Sequence, residues 1–128
     1  MGKKIVSINS YLNSVEYKSS ESNEKELMII FEDKVSNINV IDKKVNCIVS
    51  RKITIESELE IYVDFKVNIA LEERINKEEV KAMLNEDVEV LASVYSKISL
   101  IIANLTNASV FGPLVTIPVI KNKQTNIE

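Results

Sequence analysis

Residues 85–120 constrain the fold more than any other stretch, because they join a long helical pattern to an extended tail that contains both prolines. Gly and Pro are absent from residues 86–108. Apolar residues recur in that range at helical spacing: Val88, Leu91, Ala92, Tyr95, Ile98, Ile102 and Leu105. Gly112-Pro113 ends the pattern, and Pro118 disfavours helical backbone at the residue before it. We predict a helix over residues 86–108, capped by Asn85, and then an extended apolar tail.

The predicted helix carries a second apolar row, formed by Val90, Val94 and Ile101 and interrupted by Lys97. A helix that is apolar on two sides is buried on two sides. One side can pack on the chain's own sheet, and the other then needs a ligand or a second copy of the protein. We therefore expect these four residues to lie at the interface of a homo-oligomer, and we expect a tetramer.

Residues 98–120 carry no charge, which raises the question of a transmembrane helix. A span needs about 20 predominantly apolar residues. This stretch also contains polar and helix-breaking residues: Asn104, Thr106, Asn107, Ser109, Gly112, Pro113 and Pro118. We predict a buried helix and tail, with no stable membrane insertion.

Four alternating apolar patterns precede the helices and predict β-strands, at residues 4–17, 27–40, 45–55 and 59–71. The last alternates without a fault, with apolar residues at odd positions and mostly polar residues at even ones. One buried and one wet face is typical of an antiparallel sheet covered on one side. The predicted fold class is α+β: a four-stranded antiparallel sheet followed by a short helix, a long helix and the proline-containing tail.

The connections between these strands have their own signals. The apolar alternation changes phase between Leu12 and Val15, which predicts a bulge or bend, and again between Asp33 and Asn37, which predicts a second irregularity. Asp42-Lys43-Lys44 predicts a hairpin turn, residues 18–25 predict a loop, and residues 56–58 predict a second turn. Asn76 and Glu79 predict a capping box at the start of a short helix, which should extend to about Leu84. We find no linker and expect one domain over residues 1–128, with residues 1–3 and 121–128 flexible.

The chemistry that the chain lacks narrows its function. It has no His, only two Gly and a single Cys, which leaves no His-dependent nucleophile, no glycine-rich phosphate loop and no thiolate metal cage. Adjacent carboxylates such as Glu32 and Asp33 are expected to be solvated, and Cys47 is expected to be a small buried hydrophobe. We predict a binding protein rather than an enzyme, with no cofactor and no metal.

The net charge of the chain indicates whether it binds nucleic acid, and its N-terminal residues indicate the cellular compartment. A net charge of −3 and a pI near 5.2 give no electrostatic footprint for nucleic acid. The apolar run after Lys4 is too short for a signal peptide, so we expect a cytoplasmic protein.

The order of four strands, an acidic segment at residues 72–89, a long helix and a proline-bearing tail resembles the SecB-type protein-export chaperones. Tyr95 and Lys97 match a tyrosine and a basic residue of the family's helix, and residues 103–106 (ANLT) match its SxLT stretch. Residues 111–118 (FGPLVTIP) are similar to its FPPLxLPP ending. The chain departs from the family at Ser93-Val94, where a Phe-Pro step would precede the tyrosine.

The resemblance implies a subunit of a dimer of dimers that holds unfolded client proteins, including preproteins for export, in apolar grooves. We place clients along the tail, at Val110, Phe111, Pro113, Leu114, Val115 and Ile117. The family's acidic contacts with the SecA translocase motor have a weak counterpart in Glu60, Tyr62 and Asp64. Two alternatives stay open: a structural or assembly module of the same fold, and a SecB-like chaperone that serves a toxin–antitoxin pair.

Overall fold

The chain folds into an antiparallel sheet with two helices, followed by one short additional strand. The computed structural model describes residues 4–19, 29–55, 59–87, 89–106 and 125–127. The strands and helices, in chain order, are β1 (Ile5–Ser19), β2 (Ile29–Ile41), β3 (Lys44–Ile55), β4 (Leu59–Leu71), α1 (Lys77–Glu86), α2 (Ala92–Thr106) and β5 (Thr125–Ile127). The predicted α+β class, with four antiparallel strands and then a short and a longer helix, is confirmed.

The sheet has the strand order β1-β4-β3-β2-β5. The first four strands pair antiparallel, whereas β5 pairs parallel to β2, opposite Asp33–Val35. β5 was not predicted, because Thr125-Asn126-Ile127 is too short and too polar to show an apolar alternation. Three of residues 121–128, which we expected to be flexible, form this strand.

Both predicted irregularities are present, and both are β-bulges. The register of β1 on β4 shifts between Leu12 and Ser14, and that of β2 on β3 shifts between Ser36 and Asn39. An extra residue in one strand moves every later side chain of that strand to the other face of the sheet. The apolar alternation in the sequence therefore changes phase at each bulge. Asn37 adopts φ 53° inside the second bulge. Asn tolerates this left-handed backbone better than most residues, which suits it to the bulge.

The predicted hairpin turn between β2 and β3 is also confirmed. Ile41 pairs with Lys44, so the loop consists of Asp42 and Lys43. Asp42 has φ 56°, and Asp can supply this conformation in place of the Gly that the turn lacks. Lys18 and Ser19, which were expected to open a loop, instead extend β1 by continuing its pairing with β4.

The first helix begins as predicted, and the second does not. Asn76 Oδ1 accepts a hydrogen bond from the Glu79 amide at 2.8 Å, and the Asn76 amide donates to Glu79 Oε1 at 3.3 Å, which completes the capping box. However, α1 continues to Glu86, so Asn85 lies inside it and is not the cap of α2. That prediction was wrong.

Local hydrogen bonds at Asp87 explain where α1 ends. Asp87 caps α1 through its amide, which donates to the Met83 carbonyl at 3.0 Å. Its side-chain Oδ1 accepts from the Glu89 amide at 3.1 Å, which offers the backbone an alternative to the helix. A turn follows, and α2 begins only at Ala92. The acidic residues of this region therefore separate two helices instead of opening a single long one.

One face of the sheet and the inner sides of both helices form the core. The odd-numbered residues of β3 and β4 face the helices and are buried. α1 contributes Val80, Met83 and Leu84, and α2 contributes Val94, Tyr95, Ile98 and Ile102. Neither α1 nor α2, the helices of the described residues, combines the length and apolar character needed to cross a membrane.

Candidate functional site

The helix-side face of the sheet is sealed at β4 and exposed at β1. Leu12, Val15 and Tyr17 lie on this face, because their register partners on β4 are the buried residues Phe65, Val63 and Ile61. Leu12 is nevertheless 48% exposed and Tyr17 is 37% exposed, and Val15 is half-buried. We call these three residues the β1 apolar strip. An apolar strip beside a closed core is available to bind a partner.

The position of α2 over β4 explains this difference in burial. Lys97 Nζ, on one side of the helix, donates a hydrogen bond to Ser10 Oγ of β1 at 2.8 Å. On the other side, Arg51 Nη1 of β3 donates to Ser99 Oγ at 3.2 Å. The helix thus crosses the strand that lies between β1 and β3, and covers it. Beyond α2, on the outside of the helix, Leu100 is 63% exposed.

A buried ion pair lies beneath α2 and contacts the helix. Arg51 and Asp33 are register partners on β3 and β2, and both side chains are fully buried. Arg51 Nε donates to Asp33 Oδ1 at 2.7 Å and Nη2 donates to Oδ2 at 2.8 Å, a bidentate arrangement. The guanidinium carbon also lies 4.9 Å from the centre of the Tyr95 ring of α2. Two residues of α2 therefore contact one buried cation.

Sequence reasoning missed this cluster. Asp33 was expected to be solvated beside Glu32, and that expectation was wrong, because only 2% of Asp33 is exposed. The signal was present, since the alternation of β3 places Arg51 on the same inward face as Val49 and Ile53. A cation at an inward strand position requires a buried anion nearby.

The four predicted interface residues do not share one environment. Val90 and Val94 are buried within this chain, and Val94 has no exposed surface. Lys97 is exposed, and Ile101, one turn further along α2, is half-buried. The second apolar row therefore packs partly on the chain's own core, and only its Lys97 and Ile101 end remains accessible.

The three predicted partner-facing residues of β4 lie together on the outer face of the sheet, opposite the helices. Glu60 forms an ion pair with Lys52 at 3.3 Å. Asp64 is buried and accepts a hydrogen bond from Ser14 Oγ at 3.0 Å. Burial raises the pKa of Tyr62, and the neighbouring Asp64 carboxylate raises it further through a hydrogen bond and its negative charge. The Glu60 and Asp64 carboxylates therefore each have a partner within the sheet, and Asp64 is buried.

The described residues offer few other groups that could react with or bind a small ligand. Cys47 is buried on the helix side of β3, and burial raises the pKa of its thiol to about 12, in agreement with its predicted role as a small hydrophobe. A shallow cavity of about 280 Å³ lies on the outer face, between Tyr11, Ile48, Lys66 and three Asn side chains. Across the described ranges, no group of His, Cys, Asp and Glu is arranged to hold a metal ion.

The predicted client-binding residues of the tail, Val110, Phe111, Pro113, Leu114, Val115 and Ile117, lie outside the described residues. The predicted helix end near Ala108 and the turn at residues 56–58 lie outside them as well.

A solved structure shares this architecture. The SecB-like chaperone Rv1957 of Mycobacterium tuberculosis, in complex with a ChAD peptide from the Rv1956 HigA1 antitoxin, superposes with a TM-score of 0.66. The match covers 90% of this chain and 89% of that one, at 14% sequence identity. The fold is SecB-like.

Other comparisons add less to the SecB-like assignment. A protein of unknown function from Streptococcus agalactiae matches with a TM-score of 0.49 and 11% identity, over 91% of this chain and 98% of that one. No family model and no curated protein matches the sequence. At such low identity, the SecB-like fold is visible in the order and pairing of the strands, while few residues are shared.

Proposed function

We propose that this protein is a holdase-type chaperone, which binds apolar segments of unfolded polypeptides and catalyses no reaction. The β1 apolar strip carries the proposal, because Leu12 and Tyr17 expose apolar surface on the face of the sheet that is sealed at the neighbouring strand β4. An unfolded chain presents the apolar side chains that such a strip would cover. The SecB-like fold supports the proposal, and Rv1957, which shares this fold, was solved with a bound peptide.

Substitution of Leu12 by Asp tests the proposal. Covering the exposed half of a leucine is worth about 1 kcal/mol, so its loss alone weakens client binding roughly fivefold. A carboxylate trapped in the complex without a partner weakens binding further. The measurement is the fluorescence anisotropy of labelled, reduced and carboxymethylated α-lactalbumin, a permanently unfolded protein.

Val6→Asp provides a matched control. Val6 lies on the same strand and is 63% exposed, but it sits in the register shift between Ile5 and Ser7, away from the strip. We expect it to bind the unfolded protein as the wild type does. Equal affinities for Leu12→Asp, Val6→Asp and wild type would contradict a client site on β1.

A second candidate function is an assembly module whose apolar strip is fully covered by another copy. The position of β1 supports it, because among the described strands β1 pairs on one side only and ends the sheet. We propose a homotetramer, arranged as a dimer of dimers, in either case. Light scattering should give four times the 14.5 kDa chain mass. A tetramer that does not bind unfolded α-lactalbumin would favour the assembly module.

The proposed holdase function also bears on which clients the protein binds and on whether it serves protein export. We infer a cytoplasmic, single-domain protein that holds clients generally, with the tail around Phe111 as a second part of the groove. Docking of SecA through the outer face has less support, because Glu60 already pairs with Lys52 and Asp64 is buried. An antitoxin segment is the first natural client to test, since Rv1957 was solved with one.

A further inference from the structure

Four asparagine side chains form a row across the outer face of the sheet, with one on each of the four antiparallel strands. In order across the sheet they are Asn9 of β1, Asn68 of β4, Asn46 of β3 and Asn39 of β2, each the register partner of the next. All four are exposed, and within the described part of the chain none of their side-chain amides makes a hydrogen bond. With about 4.8 Å between neighbouring strands, this Asn row is roughly 14 Å long.

The Asn row does not help the sheet to form. Asn is depleted in strands, where β-branched and aromatic residues fit better. Cross-strand pairs stabilise a sheet when their side chains pack or bond with one another, and among the described residues these amides stay unpaired. Four neighbouring strands therefore place an unfavourable residue at the same level. Local choices that disagree with the fold in this way are typical of functional sites.

The shallow cavity of about 280 Å³ on the outer face lies against the Asn row. Asn46 and Asn68 line it together with Tyr11 and Lys66, which are register partners on β1 and β4. The bulge in β2 adds a further amide, that of Asn37. Tyr11 is 53% exposed. The cavity thus brings together an exposed aromatic ring, several side-chain amides and a cation.

Two lysines lie on opposite sides of the Asn row. Lys66 precedes Asn68 by two residues on β4, and Lys44 precedes Asn46 by two residues on β3, which runs in the other direction. Both lysines are exposed, and neither forms an ion pair with another described residue. Positive charge on both sides of the row, in a protein of net charge −3, favours an anionic ligand at this place.

These groups match the chemistry of an acidic sugar. An amide side chain both donates and accepts hydrogen bonds, as a hydroxyl group does, so a row of amides can pair with hydroxyls that recur along a ligand. The ring of Tyr11 can pack against the C–H groups on one face of a sugar ring, and Lys66 can pair with a carboxylate. An extended peptide matches the row less well, because its residues repeat at about 3.3 Å whereas the amides repeat at about 4.8 Å.

We propose that the Asn row and the adjoining cavity bind a linear oligosaccharide that carries carboxylate groups, with its chain lying along the row. The site is independent of the proposed holdase function, because it lies on the outer face and the β1 apolar strip lies on the helix side. One ring occupies the cavity beside Tyr11, and the neighbouring rings contact the amides on either side of it. Lys66 and Lys44 select acidic sugars over neutral ones.

The test titrates trigalacturonic acid, a linear trisaccharide with a carboxylate on each ring, into the full-length protein and follows binding by isothermal calorimetry. Asn68→Val removes a central amide from the row and should weaken binding about fivefold or more. Thr54→Val is its control, because Thr54 also faces outward but lies on β3 opposite Glu60, far from the row. We expect Thr54→Val to bind the trisaccharide as the wild type does.

Two measurements test the role of charge. Lys66→Gln should weaken binding about fivefold, whereas Lys18→Gln should not change it, since Lys18 is exposed on the same face but lies at the far end of β1. The methyl ester of trigalacturonic acid keeps the rings and hydroxyls and lacks the negative charges. It should bind the wild type about tenfold more weakly than the acid does.

The absence of saturable binding, or equal binding by Asn68→Val and the wild type, would overturn the proposal. Equal binding of the acid and its ester would overturn the assignment of an acidic ligand. Lys66 is exposed, so Lys66→Gln still decides the matter if Asn68→Val lowers the urea midpoint. The trisaccharide should not displace unfolded α-lactalbumin, and competition between them would contradict a site on the outer face. Failure of α-lactalbumin to bind would leave the saccharide result unaffected.

Discussion

Removal of Asp33 should destabilise the protein more than any single surface change, because it leaves Arg51 as a buried cation without its carboxylate. Both side chains are fully buried, and the pair is bidentate at 2.7 and 2.8 Å. Breaking a buried pair by removing one partner costs about 3–5 kcal/mol. The 128 residues have an expected total stability of roughly 6–19 kcal/mol, so Asp33→Leu takes a large share of it.

Urea unfolding followed by far-UV circular dichroism measures this loss, since the chain contains no Trp for fluorescence. With a slope near 2 kcal/mol per molar urea, the midpoint should fall by roughly 1.5–2.5 M. All variants are compared at one protein concentration, because an oligomer's apparent stability depends on it. Glu60→Ala is the control: it breaks the half-exposed pair with Lys52 and should cost no more than about 1 kcal/mol.

The double variant Asp33→Leu/Arg51→Met separates an unpaired charge from lost packing. When both charged partners are replaced by apolar residues of similar volume, the protein should recover most or all of its stability. Coupling between the two positions then exceeds about 1 kcal/mol in the double-mutant cycle. A stable Asp33→Leu variant, or a double variant as unstable as the single one, would refute the argument that an uncompensated buried cation sets the cost.

Two further predictions concern single residues. Cys47 should react with a disulfide reagent at pH 8 only at the rate at which the protein unfolds. Because burial raises the pKa of the thiol from 9.0 to about 12, the folded protein should lose stability as the pH rises from about 9 towards 12. Cys47→Ala, which has no thiol, should lose less stability over the same range. Fast labelling of the folded protein, or identical pH profiles for both proteins, would contradict this. Asn76→Ala should cost about 1 kcal/mol by removing the cap of α1, and an unchanged urea midpoint would show that the capping box contributes nothing.

Local patterns in the sequence determined the elements of the fold. The alternation of residues 59–71 predicted β4 because side chains on a strand point to opposite faces in turn. The phase changes near Leu12 and Asn37 predicted bulges for the same reason, and the Asn76 cap depends on atoms only three residues apart. Each of these signals lies within a few residues of the structure it predicts.

Tertiary structure decided which side chains meet. Asp33 and Arg51 are 18 residues apart in sequence, and only the register of β2 on β3 places one opposite the other. An apolar residue such as Val94 can pack either on its own sheet or on a second copy of the protein, and the sequence does not distinguish the two. The position of α2 across β4 buries Val94 in the core of its own chain. β5 has no pattern of its own, because its partner, the edge of β2, lies about ninety residues earlier in the chain. Pairing partners that are distant in sequence leave no local periodicity, and the exposed surface of β1 that we propose for clients is defined by such a pairing.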